Sequence, residues 1–338
     1  MTDNASDHTH LGEYDVAVIG GGAAGLSAAL VLTRAQRRVA VIDSGQPRNA
    51  PAAHMHGYLG SDGLAPADLL EAGRREVAGY GGHLVPGTVT GVSAINGGAS
   101  ATGTPNARAL PQGLRGFRVL LEDGTVMSAR RVLVTTGLRD DIPDIPGVRE
   151  RWGRDLLHCP YCHGYEVRGQ PLGVLGGSPE SLAHALLIRQ WSDDVVLFAD
   201  GTGLDAGDRE RLVSSAVGIV DEPVARLVVD DDRLTGIELT SGHVLPRTAV
   251  FVRPRFVAND TLLTGLGCAV HDNGWVVVDP VGQTTVSGVW AAGNATNPRA
   301  QVITAAGEGS AAAIAVNNDL VDEDSQRAVD RYRLGLPT

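Results

Sequence analysis

Asp15-Val16-Ala17-Val18-Ile19-Gly20-Gly21-Gly22-Ala23-Ala24-Gly25-Leu26-Ser27-Ala28-Ala29 is the stretch whose reading decides how this chain folds. An apolar strand runs straight into Gly20-x-Gly22-x-x-Gly25, and an alanine-rich helix opens at Ala23 and Ala24. Gly20 permits the tight turn, Gly22 lets a pyrophosphate approach the backbone, and Gly25 lets the helix pack against the strand, with the helix N-terminus facing the phosphates. A second strand, Arg38-Val39-Ala40-Val41-Ile42-Asp43, ends in an acid about twenty residues past the glycines, where a ribose hydroxyl is expected. Strand, glycines, helix, strand and acid in that order predict a βαβ unit that binds a dinucleotide. The glycines alone would be weak evidence.

Working outward, 338 residues exceed what one core holds, so two domains are expected. A formal net charge of -11 and the lack of a Lys/Arg run argue against a nucleic-acid partner. The N-terminus is polar and acidic where a signal peptide is basic and then apolar, and no run approaches the length of a membrane span. The expectation is a cytoplasmic protein that does not engage membranes. Three cysteines cannot make a disulfide framework in a chain of this length, so a close pair in a reducing compartment points to catalysis. Cys268 reads as an inert buried thiol.

After the first unit, Ser44 to Asn49 and Ala53 to Gly63 form a polar, loop-rich stretch, followed by a helix at Pro66 to Gly79. Arg48 and Asn49 follow the ribose-binding acid in a turn, which makes them candidates for cofactor contact. His54 and His56 are candidates to touch a substrate, against the plain alternative of solvent-exposed loop histidines. A strand meander spans Val85 to Leu133, with a solvent loop expected at Asn96 to Gly113. The next strand ends in the small residues Thr135, Thr136 and Gly137. A second βαβ unit begins at Gly173-Val174-Leu175-Gly176-Gly177-Ser178-Pro179-Glu180-Ser181, with Ser178 and Ser181 where a nicotinamide fingerprint wants glycine. Asp200 and Gly201 follow its next strand with no arginine cluster to grip a 2′-phosphate. NADPH is therefore not expected to be used, although Asp200 remains open either as an NADH ribose acceptor or as a loop cap.

Between the two units lies Cys159-Pro160-Tyr161-Cys162-His163-Gly164. Two cysteines at this spacing close a small disulfide ring and exchange thiols or electrons through it. Pro160 as a first helical residue would put the pair at a helix N-terminus, which lowers thiol pKa values. A zinc half-site is disfavoured, because His158 and His163 are poorly spaced for tetrahedral closure and no second pair exists, so no metal is expected. A glutaredoxin-like site would need its own strand order around the motif. His163 suits general-base work, with a hydrogen-bonded structural histidine as the alternative.

The N-terminal fingerprint, the cysteine pair, Gly288-Val289-Trp290-Ala291-Ala292-Gly293-Asn294 and the Ala/Gly-rich helix from Gln301 to Asn317 together resemble the low-molecular-weight thioredoxin reductases. The resemblance implies an α/β protein with two Rossmann-like, three-layer ββα domains: a discontinuous FAD-binding domain at 12–143 and 254–338, and a central domain at 144–253 bearing the cysteines. It also implies a homodimer. FAD contacts then fall to Gly20, Gly22, Ala23, Ala24, Gly25, Asp43, Ser44, Arg48, Asn49, Thr136, Gly137, Gly293, Asn294, Gln301 and Val302. Asn294 stands where the family usually has Asp, and Gln301 with Val302 would approach the isoalloxazine ring. The family's acid after the cysteines is here His163, and Cys159 to Glu166 looks like the dithiol oxidases of the gliotoxin and holomycin type. That branch implies catalytic roles for Cys159, Cys162 and His163, with Pro160 and Tyr161 beside the substrate. A small-molecule dithiol would be oxidised to an intramolecular disulfide, and molecular oxygen would receive the electrons as hydrogen peroxide. An NAD(P)H-dependent disulfide reductase and a noncatalytic flavin-bound redox sensor stay open as alternatives.

Overall fold

The computed structural model describes residues 9–95 and 116–336, so the expected loop at Asn96 to Gly113 lies outside the described residues. The chain divides into two compact units. One comprises Met1–Arg48, Ala67–Arg139 and Ala258–Thr338; the other comprises Asn49–Pro66 and Asp140–Val257. The segment Asn49–Pro66 thus groups with the cysteine-bearing residues and not with the glycine fingerprint that precedes it.

In the first unit the chain runs through β1 (His10–Ile19), α1 (Ala23–Arg34), β2 (Val39–Asp43), α2 (Pro66–Gly79), β3 (His83–Pro86), β4 (Val89–Ile95), β5 (Gly116–Leu121) and β6 (Val126–Val134). Strands β3, β2, β1 and β6 lie side by side and parallel. On its edge away from β1, β6 serves two more neighbours: its first half pairs antiparallel with β5, while Val132–Val134 pair parallel with a later strand, Val289–Ala291. Strand residues alternate between faces, and both faces are dry here. Val16 and Val18 pack with Leu26, Leu32, Ala312 and Val316 on one side, and Ala17 and Ile19 pack with Phe117, Met127 and Leu263 on the other. This is why the fingerprint strand reads as an unbroken apolar run.

After β7 (Leu138–Asp141) the second unit holds α3 (Val148–Arg151), β8 (Leu156–Leu157), α4 (Pro160–His163), β9 (Leu172–Leu175), α5 (Pro179–Ile188), β10 (Val195–Phe198), α6 (Ala206–Ser214) and β11 (Val217–Val220). Strands β12 (Val224–Asp230), β13 (Arg233–Leu239) and β14 (Val244–Pro246) form an antiparallel sheet, and β15 (Ala249–Val252) and β16 (Arg255–Ala258) follow. The parallel sheet has the order β11-β10-β9-β15-β8. The first unit is completed by α7 (Thr261–Gly265), β17 (Val289–Ala291), a short 3-10 turn at Gly293–Ala295 and α8 (Val302–Arg333).

Helix α8 runs sixteen residues past Asn317, where the sequence suggests that it ends. The Asn317 side chain accepts a hydrogen bond from Arg37 at 2.8 Å, and the charged residues beyond it pair with the sheet. Arg130 meets Asp324 at 2.5 Å and Asp15 at 3.1 Å, and Arg131 meets Glu323 at 2.6 Å and Asp319. A charge run that looks like a solvated tail is in fact the helix's anchor.

Candidate active site

The candidate cofactor residues gather where the parallel strands of the first unit end. Register aligns Ile19 with Ile42 and Val134, and Val134 with Ala291, so Gly20, Thr136 and Gly293 follow, and Asp43 ends, strands that finish at the same sheet edge. In parallel α/β sheets ligands bind outside this carboxyl edge. Gly20 has φ +106°, and a Cβ there would sit 2.5 Å from the Thr135 carbonyl oxygen. A Cβ on Gly25 would overlap the carbonyl oxygen of Gly20 itself, whereas one on Gly22 would meet nothing within 4 Å. The crowded glycines let the turn close, and the uncrowded one opens onto free space. No side chain caps α1 at Gly22, which leaves its first N–H groups and the positive end of its dipole available to an anion. Asp43 packs against Gly21 and lies 3.8 Å from Arg74.

Around this edge the loops are tied by polar side chains. Thr136 donates its hydroxyl to the Asn259 carbonyl at 2.7 Å, and the Asn259 amide donates back to the Thr136 carbonyl at 2.9 Å. Asn294 donates to the carbonyls of Asn297 and Ala300 at 2.9 and 3.0 Å and accepts from Arg48 at 3.2 Å. An aspartate, having no N–H, would lose both of those loop contacts. Glu308 accepts from the backbone N–H of Gly293 and from Asn297. Helix α8 begins at Val302 with Gln301 in the cap position and no side-chain cap. Ser44 follows Asp43 in an exposed turn, and Asn49 alone among the cofactor candidates falls in the other unit. Asn259 and Glu308 are missing from the sequence-based set, because single polar residues in loops and helices carry no pattern.

In the second unit Cys159 and Cys162 form a disulfide with their Cα atoms 5.2 Å apart. Cys159 is the cap of α4 and Pro160 its buried first residue, as the sequence suggests. The helix is a single turn, however, so few peptide dipoles align at Cys159 and their field is small beside that of α1. Tyr161, between the cysteines, is 64% exposed, and its ring meets Trp191 edge-on at 5.7 Å. His158 is turned away from this work: its Nδ1 lies 3.2 Å from the Val252 carbonyl and its ring packs edge-on against Phe256.

His163 lines a cavity of about 500 Å³ with His54, His56, Arg154, Glu166 and the Ala50–Ala53 loop. Every residue of that lining belongs to the second unit. Burial pushes the His163 imidazole below its ordinary pKa; Glu166 opposes the shift and His56 adds to it. The ring is accordingly neutral, a proton acceptor, at neutral pH. His56 sits between two carboxylates, with Nδ1 3.4 Å from Asp62 and Nε2 3.5 Å from Glu166. His54 Nδ1 lies 3.1 Å from the Gly63 carbonyl. The sequence pattern assigns Glu166 no role, and it is the folded loop at 49–66 that brings His56 to it.

The model of the pyridine nucleotide-disulphide oxidoreductase family matches residues 14–309. The chain belongs to that family. HlmI, known from a crystal structure, is similar at 55% identity over 96% of this chain and 98% of that one, with a TM-score of 0.89. The thioredoxin reductase tcpT of Claviceps purpurea (strain 20.1) is 31% identical over 83% of this chain and 86% of its own length. The thioredoxin reductase sirT of Leptosphaeria maculans is 29% identical over 92% and 95%. The α/β thioredoxin reductase architecture is thereby established, and the family implies FAD. The uncapped N-termini of α1 and α8, the open space over Gly22 and the acid at Asp43 suit an adenine dinucleotide with a flavin. Cys268 is buried, accepts no disulfide partner and has its thiol pKa raised by burial, in keeping with an inert role. Among the described residues no helix is long and apolar enough to cross a membrane.

Proposed function

We infer that this protein is an HlmI-like dithiol oxidase, which converts a small-molecule dithiol to an intramolecular disulfide through Cys159 and Cys162. The observation that carries the reading is a disulfide followed directly by the half-buried imidazole of His163, which opens onto a cavity of small-molecule size and whose burial favours the neutral, proton-accepting form. A dithiol reacts only after it loses protons, because the thiolate is the nucleophile. His163 accepts the first proton, and the resulting thiolate attacks Cys159, breaking the Cys159–Cys162 bond and leaving Cys162 as a thiolate. The second substrate thiolate then displaces Cys159, so the product gains its disulfide and the enzyme holds two reduced cysteines. Tyr161 and the 50–56 loop shape the approach to the pair.

FAD, held at Gly20–Gly25, Asp43, Thr136, Gly137, Gly293, Asn294 and the start of α8, supplies the two-electron chemistry that returns the cysteines to a disulfide and delivers the electrons to molecular oxygen as hydrogen peroxide. NADPH takes no part in this reading. Supporting that, Ser178 caps α5 by accepting from the Ser181 N–H at 3.2 Å, and Asp200 accepts the Val224 N–H at 2.9 Å, as a loop cap would. The substrate class is a natural-product dithiol of the gliotoxin or holomycin type. A homodimer is part of the same reading, supported by Ile303, Ile314, Val321 and Tyr332, which are exposed along one face of α8.

Anaerobic mixing with dithiothreitol, NADPH and NADH in separate cuvettes tests the proposal. Dithiothreitol is expected to bleach the flavin within the time of a turnover and, once air is admitted, to drive peroxide formation. Bleaching by NADPH or NADH but not by the dithiol would replace this reading with a nucleotide-driven reductase.

A further inference from the structure

We propose that His56, held by Glu166 and Asp62, is the second proton acceptor of the site, so that each substrate thiol has its own base. This deepens the dithiol reading and rests on it. Converting R(SH)₂ to a cyclic disulfide releases two protons, and His163 has room for one of them. Two sequential displacements at one disulfide need two thiolates, and the second forms while His163 still carries the first proton.

The fold brings a second imidazole to the same cavity from a hundred residues away in sequence. Asn49–Pro66 clusters with the cysteine-bearing unit, and His56 and His163 line one space of about 500 Å³. His56 lies 3.5 Å from Glu166, which is four residues past Cys162, and 3.4 Å from Asp62, whose other oxygen accepts the Gly57 N–H at 2.8 Å. The turn at Gly57–Asp62 thus fixes one carboxylate and the cysteine motif fixes the other. Both contacts become ion pairs once the ring is protonated, so the carboxylates offset the charge that base catalysis creates. Arg154 and His54 are the remaining charged or titratable groups of the lining, and Arg154 is turned to Asp232 at 2.9 Å.

The balanced sequence has two steps. In the first, the substrate's first S–H gives its proton to His163, its sulfur bonds to Cys159 Sγ, and Cys162 leaves as a thiolate. In the second, the remaining S–H gives its proton to His56, its sulfur bonds to the first substrate sulfur, and Cys159 leaves as a thiolate. Two electrons then rest on the cysteines and two protons on the imidazoles. Glu166 is a positioning residue, acting through His56 and His163.

The experiment incubates the flavin-loaded protein with dithiothreitol at about pH 7, where few free thiols are ionised but an imidazole can still accept a proton, and reads oxygen uptake together with the intact mass of acid-quenched protein. His56→Gln is expected to slow uptake about a hundredfold and to accumulate protein carrying one dithiothreitol on Cys159. His163→Gln stalls earlier and carries no adduct. Glu166→Gln is expected to behave as a milder His56→Gln and to move the acid limb of the rate profile to lower pH, since the carboxylate that opposes the depression of His163 is gone. Glu166→Asp restores part of the rate. Wild-type rate in His56→Gln, or slow turnover without an adduct, overturns the second-base role. Failure of the wild-type protein to oxidise any dithiol would instead remove the dithiol reading itself.

Discussion

The two glycine turns of this molecule share a backbone and part ways at the helix that follows. Gly20 and Gly176 have φ +106° and +107°, and their N–H groups donate to the next strand at 2.8 and 2.9 Å, to Ile42 and Phe198. At the first turn the helix N-terminus is left open by Gly22, and Gly25 admits the Gly20 carbonyl. At the second, Ser178 caps the helix itself and Ser181 occupies the space in front of Gly176. The acids differ in the same sense. Asp43 stays against Gly21, while Asp200, at φ +52°, spends its carboxylate on the Val224 N–H. A βαβ frame therefore does not by itself make a dinucleotide site; what decides is whether the N–H groups at the helix start are left for a phosphate.

The harshest way to break this comparison is to exchange the crowding residues. Gly25→Val places a branched side chain on the Gly20 carbonyl oxygen and should abolish flavin binding, with loss of the visible flavin spectrum in the purified protein. Ser181→Val at the matching position of the second turn should leave flavin content and dithiol turnover within about twofold, as expected of a site outside the chemistry. Full flavin occupancy in Gly25→Val would sink the assignment of the first turn.

A smaller effect separates the two helices. Helix α1 buries alanines, whereas α5 buries His184, which is 4% exposed and has an unpartnered Nδ1. Burial, with help from His158 and Arg253, depresses the His184 pKa to about 3. The sign follows from proton binding. Below the ordinary imidazole value of 6.5 the unfolded ring takes up a proton that the folded ring refuses, so stability falls as pH drops from 6.5 towards 3. The loss amounts to a few kcal/mol for a shift of that size, to order of magnitude. His184→Leu should flatten this part of the pH–unfolding curve measured by denaturant titration. An unchanged slope would mean that the ring is protonated in the folded protein.

How much of this was legible beforehand depends on range. The first turn was readable because its information is local: strand, glycines, helix and acid occupy twenty-nine consecutive residues, Asp15 to Asp43. The substitution of Ser178 and Ser181 for glycine was equally visible, and so was the cysteine pair with His163. The alliance of His56 with Glu166 was not, because it depends on which unit the 49–66 loop joins, and loop composition does not encode that. The same holds for Asn259, whose partner Thr136 lies more than a hundred residues upstream, and for the far half of α8, whose charges look solvated until Arg37, Arg130 and Arg131 are placed beside them.

The finest test leaves the fold intact and asks only what the cap at the second turn does. Ser178→Ala removes the oxygen that accepts the Ser181 N–H and should cost about 1 kcal/mol of stability, as side-chain caps generally do. Ser178→Gly should cost only a few tenths while leaving the same N–H groups free for a ligand. If the serine cap is what separates the two turns, the glycine variant gains measurable NADH or NADPH binding by calorimetry and the alanine variant, whose Cβ remains in the way, gains less. No gain in either would shift the cause to Pro179, which fixes the first helical residue and removes one of the N–H groups a phosphate would need.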